Sequence, residues 1–458
     1  MLTSGDRHHK RPPPGALFQW ETSKRRFKAG SAGIAVAALA LTLVACGSDS
    51  GDSDTSSEND SESSSADLSA ELTWWDTSDA TNEAPAYDKL IEKFNEEYPD
   101  VTIKHETVPF DQTQNKFKTA AESGSGAPDI LRAEVAWTPE FASLGYLYAL
   151  DGTAALENNF LETPLSSNVY EDKTYGVPQV TDTLGLMYNK ALFEKAGLDP
   201  EAPPTTWDEV REAAKALKSK AKVDGIYLNS GGYFLLPFMY GEGANLVDVD
   251  SQEITVNSPE AVTGIQTAQD MVKDGTSVKP TANDPYGTMM TLFKEQKVGM
   301  IVNGPWEVAG ISDDPNFGGI DNLGVAPVPA GGAGQGAPVG GHNYVVYSGM
   351  DDTKAEAAAA FIAFMSSAES VAFIADELGL LPGNADAYDM VTNERVALWA
   401  DAMQVAQPRP WIPEGGQFFA PLDEMATEVL IQGKPVQPAL DKVAETYKSD
   451  AVPDYSLQ

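Results

Sequence analysis

The chain of 458 residues has one cysteine, four histidines and far fewer basic than acidic residues, 31 against 68. Each shortage excludes something. One cysteine leaves no intramolecular disulfide framework and no cysteine-based zinc site. Only His105 and His342 lie beyond the first 45 residues, so a histidine-rich metal site is excluded. A net charge of −37 repels phosphate and argues against nucleic acid as a partner. No apolar run reaches the roughly 20 residues that span a bilayer. Catalytic signatures are missing as well: there is no G-x-S-x-G, no Walker loop and no H-E-x-x-H, since no second histidine follows His105-Glu106. Asp248-Val249-Asp250 lacks the glycine of a calcium loop. No cofactor is expected. With 66 acids beyond residue 45, carboxylate pairs arise by chance, so composition alone leaves a glycosidase open. What the chain does have is 42% apolar residues, ample for a sizeable core, and a length that predicts two or three domains or two large lobes.

The charge is unevenly spread. Residues 1–45 carry seven basic and two acidic side chains, leaving 24 basic against 66 acidic in the remainder, a net −42. Lys24, Arg25, Arg26 and Lys28 precede an uncharged run rich in Ala, Leu and Val from Ala29 to Val44. Its 16 residues are short for a membrane span and right for the core of a signal peptide. The run ends in Leu43-Val44-Ala45-Cys46, which resembles the lipobox of bacterial lipoproteins. That resemblance implies a signal peptide over 1–45 and a lipid on Cys46 as the mature N-terminus. Residues 46–70 follow as a Ser-rich, acidic tether that has nothing to bury. The body is therefore expected outside the cytoplasm, held to the outer face of the membrane through Cys46.

From Leu72 the pattern alternates. Leu72-Thr73-Trp74-Trp75 reads as a strand. Tyr87, Leu90, Ile91, Phe94 and Tyr98 fall at helical spacing and Pro99 ends that helix. Val101–Val108 is a strand, Asp111–Ser123 a helix closed by Gly124-Ser125-Gly126, and Ala127–Leu131 opens the next strand. After residue 180 the rhythm resumes: a strand at Leu184–Tyr188, a helix at Lys190–Ala196, a helix from Trp207 capped by Thr206, a strand at Gly225–Leu228, a helix opening at Ser258-Pro259, and a strand at Val298–Val302. Pro329–Gly341 is glycine-rich and reads as a flexible loop. Helices are expected at 352–366, 367–378, 393–406, 419–432 and 436–449. Alternating strands and helices make the fold class α/β, with helices on sheet faces.

Aromatic residues stand beside polar groups in the loops that follow strands. Examples are Trp75 with Asp76 and Asp79, Glu134 with Trp137, Tyr233 after Gly231-Gly232, Trp306 after a turn, and Trp411 between prolines. Flat rings cover the C–H faces of sugars while carboxylates and backbone groups bond the hydroxyls. Trp74, Trp207 and Trp399 lie within strands or on helices and read as core.

Several stretches together resemble the solute-binding lipoproteins of ABC importers, of the maltose/maltodextrin-binding type. They are Leu90-Ile91-Glu92-Lys93-Phe94-Asn95-Glu96-Glu97-Tyr98-Pro99; Gly126-Ala127-Pro128-Asp129-Ile130 with Glu134, Trp137, Phe141, Gly145 and Leu150-Asp151; Tyr175-Gly176-Val177-Pro178, Thr181-Asp182 and Leu186-Met187-Tyr188-Asn189-Lys190; and Asn303-Gly304-Pro305-Trp306. The resemblance implies a periplasmic-binding-protein-like fold, with a ligand cleft between two lobes joined by crossover strands. It places the first lobe at 71–181 plus 342–389 and the second at 182–341 plus 390–458. It implies a monomer, no enzyme, that closes on an oligosaccharide and docks on permease subunits. Carried over by position, it assigns ligand contacts to Asp79, Glu83, Glu134, Trp137, Asp182, Tyr233, Trp306, Gly340, Gly341, His342, Arg409 and Trp411. The chain departs from the family at Ala80, where a lysine is frequent, and at Phe419, where some members carry tryptophan.

Overall fold

A computed structural model describes residues 68–81 and 83–458. The expected signal peptide, Cys46 and nearly all of the tether lie outside the described residues. The strands that matter for the site are β1 Ala70–Asp76, β2 Val101–Thr107, β3 Ile130–Glu134, β4 Gly176–Thr183, β5 Gly185–Asn189, β6 Asp224–Tyr227, β7 Ser277–Val278, β8 Val298–Asn303, β9 Leu323–Pro327, β10 Ala337–Val346, β11 Leu381–Pro382 and β12 Ala406–Gln407. They form two sheets. The first runs β11-β4-β10-β3-β1-β2, with β12 on the start of β10; the second runs β7-β6-β8-β5-β9. Within the first, β1 is parallel to β2 and β3, whereas β10 is antiparallel to β3 and β4. In the second, β6 is parallel to β7 and β8, while β5 is antiparallel to β8 and β9.

Alternation along the strands explains why both sheets are covered on both faces. Leu72 and Trp74 join one apolar cluster with Tyr87, Phe94 and Phe361, and Trp75, one residue on, joins another with Phe117 and Phe141. Tyr344 and Val346 likewise face the first cluster and Val345 the second. In the second sheet Leu186 and Tyr188, Ile226, and Met300 and Val302 face one core, while Met187, Tyr227 and Ile301 face the other. Trp74, Trp207 and Trp399 are buried, as the sequence predicts.

Helices α1 Ala84–Glu97, α2 Phe110–Ser123 and α3 Trp137–Ser143 each follow a strand of the first sheet. Gly124 ends α2 in the left-handed conformation, with φ 67°. Thr206 and Ser258 cap their helices through their hydroxyls, accepting from the amides of Glu209 and Ala261.

Two expectations need correction. The glycine-rich stretch ending at Gly341 is a loop only to residue 336; from Ala337 it is β10, at the middle of the first sheet. Glycine there provides clearance rather than looseness. A Cβ on Gly340 would meet the Asp182 carboxylate and lie 2.8 Å from the Tyr233 hydroxyl, and Gly341 has φ +122° with the Val180 carbonyl where its Cβ would be. The expected helix at 393–406 is two short ones, Glu394–Ala397 and Ala400–Met403. The chain turns between them to seat Trp399 against β5, where Gly185 leaves room for the indole.

The chain passes from the first sheet to the second through a single residue, Leu184, between β4 and β5. It returns between β9 and β10, and again at β12.

Candidate functional site

The parallel strands β1, β3, β6 and β8 all deliver their carboxyl ends to this crossing zone, the place where open α/β sheets bind ligands. Register brings the polar groups of the first sheet side by side: His342 pairs with Glu134 across β10 and β3, and Gly340 pairs with Asp182 across β10 and β4.

Arg409 ties these strands to the far loop. Its Nε donates to the Val339 carbonyl at 3.0 Å and its guanidinium pairs with Glu134. Glu134 also accepts the Ala136 amide through its other oxygen, at 2.9 Å. The guanidinium faces three rings, with Tyr233 at 5.6 Å and Trp411 and Phe419 each at 5.4 Å. Tyr233 donates at 3.5 Å to Asp182. The buried atoms here without a hydrogen-bond partner among the described residues include Nε2 of His342 and Nε1 of Trp411. Such orphans cost free energy unless a ligand or water meets them.

Electrostatics follow from burial. Burial pushes the Asp182 carboxyl up to about 7, against the pull of the Arg409 cation. Burial pushes the His342 imidazole well down, and the nearby Arg132 and Arg409 add to that, so it is neutral. A carboxyl whose folded-state pKa is raised holds its proton where the unfolded chain has released it. Between about pH 4 and pH 7 the native state therefore binds more protons, and stability falls as pH rises through that window. Asp182→Asn is expected to flatten this slope in thermal unfolding followed from about pH 5 to pH 8. Matching pH profiles for variant and wild type would show that Asp182 titrates normally.

Trp306 reaches the same zone from the second sheet. Its Nε1 donates to the Tyr286 hydroxyl at 2.7 Å, and that hydroxyl donates to Glu307 at 2.8 Å. The ring is half-buried and touches the apolar clusters of both sheets. Tyr286 continues to Phe234, at 5.9 Å, and from there to Tyr233, at 5.8 Å.

Trp137 is buried under Phe110, which stacks on it at 5.1 Å. Asp79 opens the turn into α1, accepting the amides of Glu83 and Ala84 on its carbonyl and that of Thr81 on its side chain. Glu83 lies 3.8 Å from Arg132. Burial raises the Glu83 carboxyl and that arginine opposes it.

Sequence reasoning missed Arg132. It is buried within β3, donating through Nε to Gln179 at 2.6 Å and through Nη1 to Thr77 at 3.3 Å, with Asp76 at 3.8 Å. Asp76 in turn bonds Ser78 and, at 2.9 Å, Nε2 of His105, whose ring stacks on Trp74. Burial alone would raise the Asp76 carboxyl, yet His105, Arg132 and Ser78 together hold it below the usual range. The available signal was an arginine inside the otherwise apolar strand Ile130-Leu131-Arg132-Ala133. Tyr286 carried no signal in the sequence.

The sequence model of bacterial extracellular solute-binding proteins matches residues 79–372. The chain belongs to this family. Among solved structures, this family member resembles the GacH receptor of Streptomyces glaucescens, described unliganded and in complex with acarbose. The two are 40% identical with a TM-score of 0.80, over 85% of this chain and 100% of that one. The cyclic alpha-maltosyl-1,6-maltose binding protein of Arthrobacter globiformis is 27% identical with a TM-score of 0.69, over 82% and 97% of the two chains. The maltotriose-binding protein of Pyrococcus abyssi is 26% identical over 76% of this chain and 75% of its own. The two-sheet architecture of this binding protein is the two-lobed fold of those structures. Its relatives are described as receptors and binding proteins.

Proposed function

We propose that this solute-binding protein is the extracytoplasmic receptor of an ABC sugar importer. It captures maltose, maltodextrins or a trehalose-like sugar by closure of two lobes and hands them to the permease subunits. One observation carries the reading: flat rings of Tyr233 and Trp411 converge through Arg409 with the carboxyl groups of Glu134 and Asp182 and with unpartnered buried atoms on His342 and Trp411, and Trp306 extends the aromatic line through Tyr286 and Phe234. Rings suit the C–H faces of a glucan, and the polar set suits its hydroxyls. The names of the acarbose-complexed, maltotriose-binding and cyclic-maltosyl-maltose-binding relatives point to the same ligand class.

In this reading the first lobe is 71–181 with 342–389 and the second is 182–341 with 390–458. Glu134, Trp137, Asp79 and Glu83 serve from the first. Tyr233, Trp306, Arg409 and Trp411 serve from the second, with Asp182 at the crossover and Gly340, Gly341 and His342 as the strand beneath. The receptor acts as a monomer tethered through lipid on Cys46.

Calorimetric titration with maltose, maltotriose and trehalose tests the ligand. Saturable binding of at least one, with no cleavage products after prolonged incubation, is the expected outcome. Absence of heat and of any rise in melting temperature with all three would overturn the glucan reading. Binding of a galacto-oligosaccharide alone would move the receptor toward the galactooligosaccharide-binding relative of Bacillus subtilis, which is 24% identical over 90% of this chain and 94% of its own.

A further inference from the structure

Phe110 is 49% exposed, the most exposed large apolar side chain among the described residues and the one aromatic ring in that group. The hydrophobic effect gives no reason for a phenylalanine to stay in water when it opens a helix. Its position supplies one. Phe110 is the first residue of α2, introduced by Pro109. One face of its ring stacks on Trp137, with centroids 5.1 Å apart and planes 29° apart, and its edge meets His342 at 6.1 Å. His342 is the residue whose Nε2 is buried without a partner at the heart of the candidate site. One turn along α2, Gln114 donates to Glu140 at 2.7 Å and lies against Gly416, at the start of the 415–418 turn that follows the Trp411 loop. Phe110 thus extends the aromatic line of the site outward from His342 and Trp137 into solvent, with polar groups alongside.

We propose that Phe110 is a platform for glycosyl units projecting beyond the central cleft, and so a determinant of ligand chain length. This rests on the oligosaccharide-receptor reading above. A disaccharide occupies the inner rings. A longer glucan lays its next unit on the exposed part of Phe110, which Trp137 holds flat from below.

Titration calorimetry of wild type, Phe110→Ala and Phe110→Tyr with maltose, maltotriose and maltotetraose tests this. In Phe110→Ala the ratio of maltotetraose to maltose affinity should fall roughly three- to tenfold, the scale of one aromatic stacking contact. Phe110→Tyr keeps the ring and should keep the wild-type ratio. An equal loss for all three sugars would mean that Phe110 only supports Trp137. An unchanged ratio would mean that no sugar touches it. Either result overturns the proposal while leaving the receptor reading intact. Failure of wild type to bind any of the three would instead overturn the receptor reading and this proposal with it.

Discussion

Replacing Trp306 by alanine should weaken oligosaccharide binding by about 2 kcal/mol or more, roughly thirtyfold, the scale of an aromatic hot spot. The ring is placed with care. Gly304 has no side chain, and a Cβ there would run into the indole. The indole N–H is fixed on Tyr286, and Tyr286 is fixed by Glu307 and Asn303. An aromatic surface held this firmly loses little rotamer freedom when a ligand arrives. Because Trp306 also touches the cores of both sheets, the alanine variant will lose some stability as well. Calorimetry and thermal unfolding on the same samples separate the two effects. Unchanged affinity with a lowered melting temperature would make Trp306 a structural link between the sheets and nothing more.

Arg132→Met should cost about 3–5 kcal/mol of stability, the usual loss when one partner of a buried ion pair is removed. Asp76 is fully buried, and without the guanidinium it keeps only Ser78 and His105. Gln179, which passes the network on to the Tyr344 hydroxyl at 2.9 Å, loses its donor too. Asp76→Asn in the Arg132→Met background should recover part of the loss, because it removes a buried charge that has lost one of its partners. A shift in denaturant midpoint corresponding to less than about 1 kcal/mol would place the network among dispensable polar contacts. Lysine is no substitute, since its single ammonium cannot reach Gln179 and Thr77 in the fork geometry of arginine.

Much of the fold could be read along the chain because both sheets bury two faces. Leu72, Trp74 and Trp75 are all apolar, and three large apolar residues among four signal a covered strand whichever face each takes. The helix of Tyr87, Leu90, Ile91 and Phe94 was plain from its spacing, and Asn303-Gly304-Pro305-Trp306 pointed to an aromatic at a strand end. The site was legible as a set of residue types but not as a network. Glu134 and Arg409 are 275 positions apart, and no local pattern says that they pair. Gly340 and Gly341 misled because glycine in sequence signals freedom, whereas here β4 and the Tyr233 hydroxyl crowd the space where a side chain would go. Arg132 was overlooked because its partners come from three separate segments at 76–77, 83 and 179.

Bare backbone at Gly340 and Gly341 also sets limits for anyone who would redesign the receptor. No substitution there can add a contact to a ligand, since any side chain displaces Asp182 or breaks the strand pairing. Selection for a new carbohydrate will leave those two codons unchanged. A productive library places its diversity around Trp411 and at the start of α2, and leaves in place Arg409, which holds Glu134 and the Val339 carbonyl.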